Sequence, residues 1–323
     1  MNMLNLPKKV YFKKGSMNVA LKELDEVYGL KRAFIISDAN LYRLGAVNPV
    51  EAWVRGRGIR TAEFFSFDEV PSFENVRSGL PKMLEYQPDV IIGVGGGSVM
   101  SAAKAMWLLY ENPDLDLGEV ADKFGSLDGS YDADYAAFPD TGKKAKLVLI
   151  ATTAGSGAEC SPFSVLADDA GKKRVIASYK LLPEMAVVDS MFSENMPAEL
   201  AKRSGLTALS QAARAYVAPG GSEYTQGFAR EAVQNVLENL EAAVAGCPAA
   251  REKMATAAAV AGMAFSNAVD TVDPEAGIYP EGAEKTAKSD LIVDLAKHVG
   301  IEADSDDKVF AEWIAACEKL NNL

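Results

Sequence analysis

Gly95, Gly96, Gly97 and Ser98 stand in a row in the stretch GVGGGSVMSAAK (93–104), directly after the apolar run DVII. A turn of small residues between a strand and a helix exposes backbone N–H groups, and the helix start adds partial positive charge. The chemistry on offer is the holding of a phosphate or pyrophosphate. The glycines permit a tight turn and close backbone approach, and Ser98 is placed to cap the helix carrying Ala102, Ala103 and Lys104. The pattern is neither GxGxxG nor a P-loop, so a plain structural turn competes with this reading.

Two further groups belong to the same chemistry. Asp38 ends the run AFIIS (33–37), a position from which a carboxylate reaches a ribose 2′-hydroxyl and repels a 2′-phosphate. The competing role for Asp38 is the cap of a helix over ANLYRLG. A second small-residue turn, ATTAGSGAE (151–159), follows KLVLI and offers the hydroxyls of Thr152, Thr153 and Ser156. An ordinary polar loop is the alternative there.

The elements that must carry these turns are legible from periodicity. Short β-rich runs at 9–12, 33–37, 89–94, 146–152 and 185–189 alternate with amphipathic stretches such as 16–29 and 76–87. Strands and helices alternating at this length predict an α/β fold with a parallel sheet covered on both faces. After NMPAEL (195–200) apolar residues recur every three or four positions and no strand signal remains. The expected division is an α/β domain over 1–190, of the dinucleotide-binding type, and an all-helical domain over 191–323.

Composition narrows the class. The chain of 323 residues is 49% hydrophobic and 24% charged, with a net charge of −12, the profile of a folded globular protein. An acidic chain without a basic stripe repels polyphosphate backbones, which predicts no nucleic acid and no anionic membrane partner. The first residues lack the apolar core of a signal peptide, and the Ala-rich run 254–269 is too short for a membrane span. Both point to a cytoplasmic protein. Cys160, Cys247 and Cys317 share no metal-ligand spacing and read as inert buried thiols. His298 is the only histidine.

Three segments carry a resemblance: PDVIIGVGGGSVMSAAKAMWLLYENP, LIATTAGSGAECSPFSVLADD and MPAELAKRSGLTALSQAARAYV. They look like the iron-dependent alcohol dehydrogenase family, most of all the alcohol dehydrogenase half of bifunctional aldehyde/alcohol dehydrogenases. The similarity runs from about residue 4 to residue 268. It implies a dinucleotide-binding α/β domain followed by a helical one, the latter shortened here relative to the family. It also implies NAD as cofactor, with pyrophosphate on Gly95, Gly96, Gly97 and Ser98. Thr152, Thr153 and Ser156 would flank the nucleotide, Asp38 would favour NAD over NADP, and Lys173 would reach the ribose.

The family's chemistry also needs a divalent metal, held by one Asp and three His, the first two lying four apart on a helix. The matching stretch here is GLTALSQAARAY, with Thr207 at the Asp position and Gln211 at the first His position. The third ligand falls at or near Pro274, and the segment for the fourth is lacking. One histidine cannot supply three ligands, so no iron or zinc and no metal-assisted catalytic residue are expected. Ser101 stands where the family's glycine motif usually has an Asp. Arg214 shares a helical face with Gln211 and is either a replacement positive charge in the vacated site or a solvent-facing side chain. Asp270, Asp273 and Glu275 form an acidic stretch that reads as a solvated connector rather than a substitute cation site.

Three functions follow as alternatives. The first is an NAD(H)-binding relative without metal chemistry, a regulatory or scaffolding subunit that forms a homo-oligomer or pairs with an active homologue. The second is a metal-free alcohol/aldehyde oxidoreductase using Arg214 or Lys104 as electrophile. The third is a structural assembly protein without nucleotide.

Overall fold

The apolar runs 33–36, 90–94 and 147–151 are buried without interruption, which happens to strands covered on both faces. A computed structural model describes residues 3–66, 70–127, 136–272 and 290–323. Its strands are β1 (Lys9–Phe12), β2 (Arg32–Ile36), β3 (Arg60–Phe64), β4 (Val90–Gly95), β5 (Lys146–Ala151), β6 (Phe163–Ala167), β7 (Lys173–Ala177) and β8 (Met185–Val188). Six of them form a wholly parallel sheet in the order β1-β8-β5-β4-β2-β3.

Successive side chains on a strand point to opposite faces, and two cores result. Phe34, Ile36, Ile91, Leu147 and Leu149 join one cluster with α4 (Phe73–Tyr86) and α5 (Gly97–Glu111). Ala33, Ile35, Ile92, Val148 and Ile150 join the other with α1 (Ser16–Glu26) and α3 (Asn48–Gly56). Among the described residues this part of the chain also carries the short helices α2 (Ala39–Arg43) and α6 (Leu117–Lys123).

Two features lie outside the sequence-based expectation. β3 is an edge strand whose Arg60 and Glu63 break the apolar pattern, and none of its residues is fully buried. β6 and β7 form an antiparallel hairpin apart from the main sheet. Its turn is built by Asp168, whose Oδ1 accepts from the backbone N–H of Ala170 and Lys172, and by Gly171 at φ +80°.

From Ser193 onward no strand occurs among the described residues. The helices are α7 (Ala198–Val217), α8 (Glu223–Val244), α9 (Pro248–Ser266), α10 (Asp290–His298) and α11 (Asp306–Asn321). The Ala-rich run becomes α9, as its composition predicts. Arg251 on α9 is buried, and its guanidinium donates to the carbonyls of Ala243 (2.9 Å), Glu194 (2.9 Å) and Met196 (2.7 Å). Contacts divide the chain into two compact units. One is Leu6–Thr152 with Ala158–Phe192; the other is Ser193–Leu323 with Thr153–Gly157 and the start of the chain as far as Asn5. Among the described residues no helix is long and apolar enough to cross a membrane.

Candidate functional site

In chain order, β2 is followed by β3 toward one edge of the sheet, whereas β4, β5 and β8 step toward the other. The direction of winding therefore reverses between β2 and β4. Open parallel sheets bind ligands outside the carboxyl ends of the strands at this switch point. The residues leaving β2 and β4 there are Asp38 and the Gly95–Ser98 turn. Ser37 ties the two strand ends together by donating its hydroxyl to the Val94 carbonyl at 2.7 Å.

Gly95 has no room for a side chain, since a Cβ there would lie 2.4 Å from the Val99 Cβ. This closeness seats α5 tightly on the end of β4. Gly96, not Ser98, is the N-cap of α5, and no side chain caps the helix. Ser98 lies inside the first turn, which corrects its expected capping role. Helix geometry leaves the first N–H groups of α5 without intrahelical partners, the donors a pyrophosphate takes.

Asp38 caps α2: its Oδ1 accepts from the backbone N–H of Asn40 (2.9 Å) and Leu41 (2.8 Å). Both bonds fall on one oxygen, so capping and a contact through Oδ2 are compatible. Thr152 is buried beside the glycine turn and its N–H donates to the Gly95 carbonyl at 3.0 Å. Lys173 opens β7 and pairs in register with Ala167. Asp38, Gly95, Gly96, Gly97, Ser98, Thr152 and Lys173 thus belong to the α/β unit, whereas Thr153 and Ser156 group with the helical one.

Lys104, further along α5, is wholly buried. Its Nζ donates to the carbonyls of Ala158 (2.7 Å), Ser161 (2.5 Å) and Phe163 (3.0 Å). Burial pulls its pKa down to about 7, against the opposing field of Glu159. Glu159 is buried too, and burial raises its carboxyl to about 7 against its own backbone N–H and Lys104. Neither group faces solvent, which disfavours Lys104 as an electrophile for substrate. No residue type marks this clamp in advance, because a single lysine on an apolar helix has backbone carbonyls as its partners. Ser101 is likewise tied into the core: its hydroxyl accepts from the Val165 N–H at 3.1 Å.

The stretch matching the family's metal helix is α7. Thr207 is buried and its hydroxyl donates to the Arg203 carbonyl at 3.0 Å. Gln211, one turn on, has a buried Oε1 without a hydrogen-bond partner. Arg214 is exposed, with its guanidinium 5.4 Å from the centre of the Phe265 ring. That exposure favours the solvent-facing role over a buried replacement charge. His298 sits at the end of α10, with Nδ1 2.8 Å from the Asp294 carbonyl of its own helix. A hydroxyl and a carboxamide are neutral, weak donors and do not fit a transition metal that takes a carboxylate and imidazoles. Among the described residues no three His, Cys, Asp or Glu side chains gather around a common point. Asp270 is exposed; Asp273, Pro274 and Glu275 lie outside the described residues. Cys160 and Cys317 are buried as expected, but Cys247 is exposed, because it caps α9 at the surface just before Pro248.

Comparison with known proteins gives the family. Residues 7–190 match the iron-containing alcohol dehydrogenase family, and residues 201–273 match the C-terminal part of the same family. The chain is 42% identical over 266 residues to aldehyde-alcohol dehydrogenase 2 of Entamoeba histolytica, covering 81% of this chain and 30% of that protein. It is 35% identical over 270 residues to the NADPH-dependent butanol dehydrogenase of Clostridium saccharobutylicum, covering 83% of this chain and 66% of that one. The solved iron-containing alcohol dehydrogenase of Thermococcus thioreducens superimposes with a TM-score of 0.83 at 27% identity, over 99% of this chain and 85% of that one. The chain thus spans less than a third of the length of the Entamoeba histolytica relative. The parallel sheet, the switch-point turns and the helices of the second unit, together with these matches, place the chain in the iron-containing alcohol dehydrogenase family.

Proposed function

We propose that this chain binds NAD(H) on the α/β unit, with the pyrophosphate on Gly95–Ser98 and the adenosine ribose at Asp38, and that it does not carry out metal-assisted alcohol oxidation. The observation that supports nucleotide binding is the placing of both features at the switch point of the sheet. Thr152, Thr153 and Ser156 flank the nucleotide in this reading, and Lys173 reaches its ribose. Lack of the metal step is supported by the donor types at Thr207 and Gln211 and by a sequence with one histidine. A metal in this family would polarise the alcohol oxygen, and the Thr207 hydroxyl and Gln211 carboxamide on α7 are weak donors for one. The chain then acts as a regulatory or scaffolding homologue, either as a homo-oligomer or beside an active relative.

The preference for NAD over NADP rests on Asp38 in this chain, since one of its relatives is named for NADPH. Calorimetric titration with NADH, with elemental analysis of the same sample, tests the proposal. Micromolar NADH binding without stoichiometric iron or zinc is the expected result. No NADH binding would overturn the nucleotide assignment, and one metal per chain together with alcohol turnover would overturn the rest.

A further inference from the structure

An ammonium has three N–H donors, and Lys104 meets three carbonyls with them. All three acceptors lie in one short piece of chain, Ala158, Ser161 and Phe163, and no carboxylate pairs with the Nζ among the described residues. Burying an ammonium is costly, and a methionine would fill similar space without that cost. What the charge adds is a fixed path for the backbone it holds. Ser101 repeats the pattern one turn earlier on α5, since its carbonyl accepts from the Ser164 hydroxyl at 2.8 Å and its hydroxyl from the Val165 N–H. Residues 158–165 are therefore lashed at two levels to the helix that opens at the glycine turn. They also follow directly on the 151–157 turn.

We propose that Lys104 is a positioning residue for nucleotide binding: its ammonium fixes residues 158–163, the stretch of the α/β unit that resumes after Thr152, on the helix that opens at Gly95–Ser98. The inference rests on the nucleotide reading above, but the lashing itself does not. On that reading ADP engages Asp38 and the glycine turn, whereas NADH extends further, to the residues that follow β5. Loss of the clamp therefore weakens NADH far more than ADP.

The test compares the unmodified protein with Lys104→Met, which has no donors, and Lys104→Gln, which keeps two on a shorter stem. Amide hydrogen exchange of residues 158–165 is followed without nucleotide, and affinities for NADH and ADP are measured by calorimetry at pH 6. Exchange in Lys104→Met is expected to quicken about tenfold or more, as local opening becomes easier. NADH affinity is expected to fall about tenfold while ADP stays within about threefold, with Lys104→Gln between. Unchanged exchange overturns the inference, as does equal weakening of NADH and ADP. If Lys104→Met does not fold, Lys104→Gln is read in its place; failure of both to fold assigns Lys104 to the core alone and overturns the proposal. An unmodified protein that binds neither nucleotide refutes the nucleotide reading, while the exchange result still decides whether Lys104 holds the segment.

Discussion

Gly157 and Gly262 meet backbone to backbone: a Cβ on Gly262 would lie 2.5 Å from the Gly157 carbonyl oxygen, and one on Gly157 would lie 2.6 Å from the Gly262 Cα. Gly157 also holds φ at +58°, a conformation that side chains disfavour. The turn that carries Thr153 and Ser156 is thereby seated on α9. No side chain stands between them to give way.

Gly262→Ala is expected to destabilise the helical unit. Helix propensity alone would favour alanine by about 1 kcal/mol. The contact to backbone opposes this by about 2–3 kcal/mol, the cost of overpacking where neither neighbour can rotate aside. The clash wins, and the urea midpoint should fall. A variant as stable as the unmodified protein would show that the turn and helix are not in contact.

Asp38 has two duties that one substitution separates. Asp38→Asn keeps Oδ1 and so the cap of α2, but removes the charge. Its melting temperature should match the unmodified protein, and its NADPH affinity should rise about tenfold, because a carboxylate repels a 2′-phosphate by one to a few kcal/mol at hydrogen-bonding range. NADH affinity should change little. An unaltered NADPH-to-NADH ratio would mean that the carboxylate serves the helix alone.

Lys104 and Glu159 predict an unusual stability profile. Unfolded, Glu159 loses its proton near 4.5; folded, burial holds it to about 7. Between those values the folded chain binds more protons, so stability falls as pH rises. Unfolded, Lys104 keeps its proton to 10.5; folded, burial releases it at about 7. From 7 to 10.5 the unfolded chain binds more protons, and stability rises with pH. The two limbs meet in a trough near pH 7. Urea midpoints at pH 5, 7 and 9 should trace it, with Glu159→Gln flattening the lower limb and Lys104→Met the upper. A midpoint difference between variant and parent that does not change with pH would refute the assignment.

How much of this was readable beforehand varies with the kind of interaction. The central strands and the switch-point turns announce themselves because burial on both faces forces unbroken apolar runs, and turns force small residues. β3 hides because an edge strand tolerates Arg60 and Glu63. The Lys104 clamp hides for a different reason: its partners are carbonyls, which every residue has, so no residue type marks them. Asp38 was legible as two alternatives, and the structure realises the cap while leaving the other open. At Thr207 and Gln211 the sequence carried most of the information, since donor chemistry follows from residue type.

The metal prediction follows from that donor chemistry. Purified protein should carry no stoichiometric iron or zinc, and adding either should produce no alcohol oxidation. A Lewis-acid metal contributes several kcal/mol to such a reaction, and losing about 4 kcal/mol costs roughly a thousandfold in rate. Restoring Thr207→Asp and Gln211→His should not recover it. The two positions lie one turn apart on α7 and can present two ligands on one face. Two more imidazoles are needed, and the only histidine, His298, lies on α10 with its Nδ1 against the Asp294 carbonyl. Arg214, on α7 as well, adds a positive charge that disfavours a divalent cation at its own end of the helix. The double variant should therefore bind zinc weakly and stay inactive. One iron or zinc per chain in the unmodified protein, lost together with turnover on chelation, would refute this, and would direct attention to Asp270, Asp273 and Glu275 as the source of the ligands.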